Sequence, residues 1–188
     1  GHRVICGCDE AGAGPLAGPV YAAAVILPFG IEIPGLNDSK KLTEKKRENL
    51  FPVVKELASA WSVACVDAAE IDATDILSAR MKAMQLAIDE LEQKADFALI
   101  DGNREKDFGL PVKTVVKGDS LSANIAAASV LAKVTRDMYM EELAKEYPQY
   151  GFEIHKGYGT KAHYAALTEH GMCDAHRRSF LASEQLHR

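Results

Sequence analysis

The chain has few of the features that stabilise a protein without a large core or carry it into a membrane. Its four cysteines, Cys6, Cys8, Cys65 and Cys173, form no C-x-x-C pair and no dense framework. That excludes a disulfide scaffold and reads as reduced thiols, with small buried hydrophobes the simplest role for the first three. No apolar run approaches the roughly 18 residues of a membrane span; the best, Val20 to Leu27, is strand-sized. No secretory pattern opens the chain, so a cytoplasmic protein with no membrane partner is expected. Repeats, low-complexity tracts and long linkers are missing too. So is an excess of basic charge: 22 basic against 27 acidic residues leave a net charge of -5. That argues against indiscriminate coating of nucleic acid, although a local basic groove answers only to the field at its own surface.

What is present suffices for an ordinary fold. An apolar share of 47% and a charged share of 26% over 188 residues match globular proteins. A chain of this length buries roughly 70% of its unfolded surface without a metal or a disulfide. Val4-Ile5-Cys6 and Tyr21 to Leu27 flank a Gly/Pro turn and predict an antiparallel pair. Thr43 suits the N-cap of a helix running to about Ala58, and Trp61 to Val66 reads as a third strand. Leu77, Met81, Met84, Ile88 and Leu91 form one stripe of a long helix. Phe97 to Ile100 and Val112 to Val116 are short strands. A second long helix is predicted from Ser122 to Glu146, with Ile125, Ala128, Leu131, Val134 and Met138 on one face. A further helix is expected near Ala162 to Glu169. The order implies an α/β fold, a mixed sheet flanked by helices, divided as a core over 1–146 and a small helical C-terminal segment over 147–188.

The acids carry the chemistry. Asp9 and Glu10 end one apolar strand, Asp101 ends another, and Asp119 follows a third. Ligand sites in open sheets gather where strand ends and loops converge. Carboxylates brought together there repel one another unless a cation intervenes, and oxygen-only ligands point to Mg²⁺ or Mn²⁺. Adjacent residues of a regular strand face opposite sides, so pairing Asp9 with Glu10 requires the strand to end there. A single acid at a turn more often only caps a strand end; three such ends shift the balance toward a site.

Gly12-Ala13-Gly14-Pro15-Leu16-Ala17-Gly18 is not a dinucleotide fingerprint, because its third glycine is late and a strand follows it. A plain tight turn is the simpler reading, and an amide-lined anion site the alternative. Asn37-Asp38-Ser39-Lys40-Lys41 is a solvated helix entrance or, with Lys117, Lys133, Arg136, Lys156, Arg177 and Arg178, part of a phosphate track. Ser120 to Asn124, at a helix start, also suits an anion. Tyr158, flanked by glycines, either stacks on a sugar or base or packs over the core edge. His170, Cys173 and His176 have metal-like spacing but lack an obvious fourth ligand, which disfavours zinc.

Taken together, Cys8-Asp9-Glu10-Ala11-Gly12, Asn37 to Leu42, Ile100 to Asn103, Val116 to Ser120, Ala127 to Asp137 and Tyr150 to Thr160 resemble bacterial ribonuclease HII, a type 2 ribonuclease H. Six motifs in the family's order span nearly the whole chain. The resemblance implies a ribonuclease H-like fold and Mg²⁺- or Mn²⁺-dependent cleavage of RNA in RNA–DNA hybrids. It also implies incision 5′ to single ribonucleotides in duplex DNA, by a monomer. It assigns catalysis and metal binding to Asp9, Glu10, Asp101 and Asp119, and junction sensing to Tyr158. Nucleic-acid contacts fall to Gly12, Ala13, Gly14, Asn37, Ser39 and Lys40, to which the helix start and the basic set add Ser120 and Lys156 as expected contacts. Asp137 is expected to be structural or outer to the site. The family turn reads Gly-Arg-Gly; here Ala13 keeps the turn but removes five donors and a fixed charge. Two other readings stay open: an impaired protein that holds hybrids or junctions without turnover, and a different metal-dependent nuclease on the same sheet.

Overall fold

The computed structural model describes residue 1 and residues 4–181. Strand β1 (Ile5–Ala11) is the centre of a five-stranded sheet of order β3-β2-β1-β4-β5. On one side β2 (Val20–Ile26) and β3 (Ala60–Val66) continue it antiparallel. On the other, β4 (Phe97–Asp101) and β5 (Val112–Val115) run parallel to it. The expected hairpin and later strands all form. Helices cover both faces, so β1 and β2 are buried on both sides; Cys6, Cys8 and Ala22 to Val25 have no exposed surface. This is why they read as unbroken apolar runs instead of alternating ones.

One face carries the short α2 (Ala68–Ala73) and the longer α3 (Ile76–Asp89). The sequence reading placed the stripe of α3 and did not find α2. Thr74 leaves helical geometry, and Asp75 starts α3 afresh by accepting the Ser78 amide at 2.8 Å. Met84 and Ile88 lie on the buried stripe as expected, but Ala79, Ala83 and Ala87 share it, while Leu77 and Met81 are only partly covered.

The opposite face carries α1 (Glu44–Leu57) and α5 (Ala123–Glu146). Thr43 and Ser122 cap them, accepting the amides of Lys46 and Ile125. Helix α5 crosses β1 over Gly7, where a Cβ would run into the backbone of Asn124 and Ile125. Asn124 then pins the helix start to the sheet, accepting the Leu27 amide at 2.9 Å and donating to the Ile5 carbonyl at 3.3 Å. Met138 is a correction: it is exposed. By that point α5 has outrun the sheet and buries Met140, Leu143 and Ala144 against the C-terminal portion instead. There α6 (Phe152–His155), α7 (Lys161–His170) and the turn Arg178–Phe180 follow in order. They share a third apolar cluster with Leu16 and Ala17. Residues 182–188 of the expected C-terminal segment lie outside the described residues. No described helix is long and apolar enough to cross a membrane.

Candidate active site

Because β1, β4 and β5 are parallel, their carboxyl ends share one edge of the sheet. The register that pairs Cys8 with Ile100 carries Asp9 alongside Asp101. One oxygen each from Asp9, Glu10 and Asp101 lies within 4.8 Å of the others. The expected reason for the Asp9–Glu10 pairing needs correction, since β1 does not end there. It stays paired with β2 through Ala11 and Tyr21. Its ladder to β4 stops at Cys8 and Ile100, so the two acids lie past that ladder's end. Asp9 also folds forward along the strand to accept the Glu10 amide at 2.7 Å.

Asp119 follows β5 on the one-turn helix α4 (Gly118–Leu121). Lys117 precedes it in the left-handed region (φ 54°), a conformation rare and strained outside glycine. The Gly118 amide then donates to Asp101 Oδ1 at 2.7 Å, tying the β5 exit to the β4 exit. Burial raises the Asp9 carboxyl well above the usual range, and the charges of Glu10 and Asp101 add to it. Burial likewise lifts Asp119 to about 6, helped by its hydrogen bond to Asp38 and the charges of Asp38 and Asp101. For Asp38, burial pulls upward, but Asp119, the Lys40 amide and the charges of Lys40 and Lys41 outweigh it and hold it low. The contact between Asp38 and Asp119 thus pushes the two carboxyls apart, Asp119 upward and Asp38 downward.

Glu10 is paired with Arg80 of α3. Its Oε2 is nevertheless buried without a hydrogen-bond partner among the described residues. A buried, partnerless carboxylate oxygen is costly. Repelling acids and an orphaned oxygen together fit a hard divalent cation, with Asp9, Glu10 and Asp101 as its oxygen donors and Asp119 beside them. Sequence reasoning missed Arg80 and Asp38. Arg80's only signal is a charge beside Ala79 on a mostly apolar stripe, and Asp38 sits inside a quoted motif that nothing links to Asp119.

The turn after β1 reaches the same edge. Gly12 has φ 88°, and a Cβ there would collide with the Arg136 side chain. Gly14 is exposed and lies against Tyr158, whose ring edge is 3.7 Å from where a Gly14 Cβ would stand. The half-exposed Tyr158 ring also lies near the Lys133 ammonium (5.8 Å) and the Arg136 guanidinium (5.9 Å). The second loop closes the other flank. Asn37 and Lys40 are exposed, Ser39 is buried, and Lys41 donates to Ser120 at 3.2 Å. A groove of about 530 Å³ runs between this loop and α4, lined by Asn37, Asp119 and Ser120 among others.

The phosphate track breaks up. Arg136 and Arg177 have no exposed surface, because both guanidiniums are directed into the protein and bonded to main-chain carbonyls. Lys156 is tied to Glu141 at 3.0 Å and to the Glu153 carbonyl at 2.7 Å. Lys133 pairs with Asp137 at 2.8 Å, which gives that acid a structural partner. The zinc-like trio also separates. His170 lies 3.7 Å from Glu169, whereas His176 is buried against His163 at 3.0 Å and Cys173. Among the described residues the only cluster of metal-ligating side chains is Asp9, Glu10 and Asp101.

A mixed, helix-flanked sheet with acids converging from parallel strand ends defines a class: metal-dependent nucleases of ribonuclease H-like fold. Comparison with known proteins narrows it. The chain belongs to the ribonuclease HII family, whose sequence profile matches residues 6–183. It is 57% identical over 180 residues to ribonuclease HII of Aliivibrio salmonicida, covering 96% of this chain and 87% of that one. It is 56% identical to that of Dechloromonas aromatica over 177 residues, covering 94% and 90%. Among solved structures, ribonuclease H2 from Pyrococcus horikoshii superposes with a TM-score of 0.78 at 26% identity, covering 98% and 95% of the two chains. The RNase HII of a PCNA:RNase HII complex from Archaeoglobus fulgidus gives 0.80 at 25%, covering 96% of each. The chain is an endoribonuclease that cleaves the RNA strand of RNA–DNA hybrids, with the metal dependence of its family.

Proposed function

We propose that this enzyme also incises duplex DNA 5′ to a single embedded ribonucleotide, and that Asp9, Glu10, Asp101 and Asp119 are its catalytic and metal-binding residues. The observation that carries the reading is the convergence of Asp9, Glu10 and Asp101 within 4.8 Å, with an unpartnered buried oxygen on Glu10. Asp9, Glu10 and Asp101, with Asp119 beside them, would hold Mg²⁺ or Mn²⁺, which would supply an activated water and charge stabilisation for the leaving 3′ oxygen. The chain's own residues do the rest. Asp9 and Asp101 are fixed by bonds to the amides of Glu10 and Gly118. Lys40 and Lys41 offset the phosphate charge beside Asp119. The Gly12-Ala13-Gly14 turn and Tyr158, neighbours at the same edge, would face the ribose, whose 2′-OH is the one group that separates RNA from DNA. A structural neighbour of similar fold, RNase HIII of Bst, is described in complex with Mn²⁺ (TM-score 0.65, 16% identity).

The test is cleavage of a duplex bearing one ribonucleotide, with Mg²⁺ and separately with Mn²⁺. A 3′-OH and a 5′-phosphate at the 5′ side of the ribonucleotide are expected. Asp101→Asn should lose at least about a hundredfold in rate, more than the 10–100-fold typical of groups outside the ligand set. Undiminished cleavage by that variant would remove the metal assignment. Equal cutting of all-DNA duplexes would favour a different nuclease of this fold, and tight binding without cleavage a binding protein.

A further inference from the structure

We propose that Arg136 and Arg177 are positioning residues for ribonucleotide recognition: they aim the amides of the Gly12-Ala13-Gly14 turn outward and fix Tyr158 against it. The inference deepens the reading above and rests on it. Both side chains have no exposed surface, and among the described residues neither guanidinium forms an ion pair. Burying an unpaired charge is strongly unfavourable unless dipoles replace its water. Here those dipoles come almost wholly from one loop. Arg177 donates to the carbonyls of Gly12 (2.6 Å), Ala13 (3.0 Å) and Gly18 (2.9 Å). Arg136 donates to those of Ala17 (2.9 Å), Pro19 (3.0 Å) and Lys156 (2.7 Å).

Peptide geometry turns this into an orientation. In a trans peptide the carbonyl of one residue points opposite to the N–H of the next, and there is no cis bond among the described residues. Drawing the Gly12 and Ala13 carbonyls inward therefore directs the Ala13 and Gly14 amides outward, past the Tyr158 ring. Among the described residues those two amides have no main-chain partner, which leaves a pair of donors for a ribose hydroxyl or a phosphate. Arg136 sets the other half of the contact. It joins the turn's far limb to Lys156, two residues before Tyr158, and lies under the Tyr158 ring. The Leu16 amide, bonded to the Gly157 carbonyl at 2.8 Å, closes the same link. With alanine at position 13, recognition by the turn falls to its backbone, so its aim rests on these two guanidiniums.

The experiment measures kcat/KM on a duplex with one ribonucleotide and on the same duplex with a 2′-fluoro sugar there. The ratio of the two is unaffected by the fraction of enzyme that is folded, so a merely structural role leaves it unchanged. Arg177→Lys keeps the charge but loses the fork, and should shrink the ratio about tenfold or more, within the cost of an ångström-scale misplacement. Arg136→Lys should do the same in the parent but by less than about threefold in a Tyr158→Ala background, the non-additivity expected of residues acting as one unit. Folded variants that keep the parental ratio overturn the proposal. Failure of the parent to cut the ribonucleotide duplex would instead overturn the functional reading. Hydrogen exchange on the unmodified protein tests the clamp without activity or substitution. The Leu16 and Gly18 amides should exchange as slowly as the β1–β2 ladder, and those of Ala13 and Gly14 quickly; an evenly fast loop would refute it.

Discussion

Ala13 stands where the resemblance drawn from the sequence expects a Gly-Arg-Gly turn to carry arginine. Its carbonyl is engaged from below by Arg177 while its side chain stays half-exposed. Ala13→Arg therefore adds a cation above the clamp without disturbing it. We expect tighter duplex binding and a salt dependence steeper by about one phosphate contact. Titrating binding against salt for both proteins checks this, and equal slopes would show the position to be silent. At this scale the sequence was legible where a residue's role is local. The acids and the turn glycines announce themselves through neighbours in the chain. Arg136 and Arg177 did not, because a buried guanidinium bonded to carbonyls and an exposed one awaiting phosphate look alike in a sequence. Only the depth of the pocket separates them.

Between elements, contacts are set by how closely backbones approach. Helix α5 can cross β1 only because Gly7 has no side chain, so Gly7→Ala should destabilise the fold by about 1–3 kcal/mol or more, the usual range for overpacking. Urea unfolding measures it, and the acid cluster should suffer too, since the same strand carries Asp9. The C-terminal elements are joined by neutral imidazoles. His176 accepts the Cys173 amide on Nδ1 and so donates from Nε2 to His163, which donates to the Tyr158 carbonyl at 2.9 Å. A further proton on either ring would face another donor. Burial lowers His163, and burial together with His163 lowers His176 to about 4, from an ordinary 6.5. Below 6.5 the unfolded chain takes up protons at these rings that the folded one refuses, so the pair's contribution to stability should fall as pH drops from 6.5 toward 4 and not above that range. The raised carboxyls of Asp9 and Asp119 act in the opposite sense there, so urea midpoints across pH are compared between the parent and His176→Gln; equal pH dependence in the two would contradict the buried pair. Strands and long helices were readable from apolar runs and caps. Helix α2 and the reach of α5 past the sheet were not: the six residues of α2 are too short to display a period, and Met138 obeys the helical period while only tertiary packing decides its burial.

For the whole molecule, a net charge of -5 meets a polyanionic substrate through an edge lined with carboxylates. Cations held by Asp9, Glu10 and Asp101 would reverse that local sign. Chelation should therefore abolish cleavage while leaving the chain folded but less stable. Mg²⁺ at ten times its dissociation constant stabilises by about 1.4 kcal/mol, or a rise of about 3–5 °C in Tm for a chain of this size. Calorimetry with and without chelator measures it, and no shift would mean no ion binds the folded acids. The sheet order could not be deduced from the chain alone, yet the six collinear motifs were enough to identify the family that fixes it.

Synthesis runs from the first residue to the last. The Gly12 carbonyl is made 165 residues ahead of the guanidinium that holds it. A chain still emerging from the ribosome thus carries Asp9, Glu10, Asp101 and Asp119 well before the side chain that holds the turn. On the role proposed for Arg177, a chain stopped short of that residue would keep the acidic edge and lose the aim of the turn beside it.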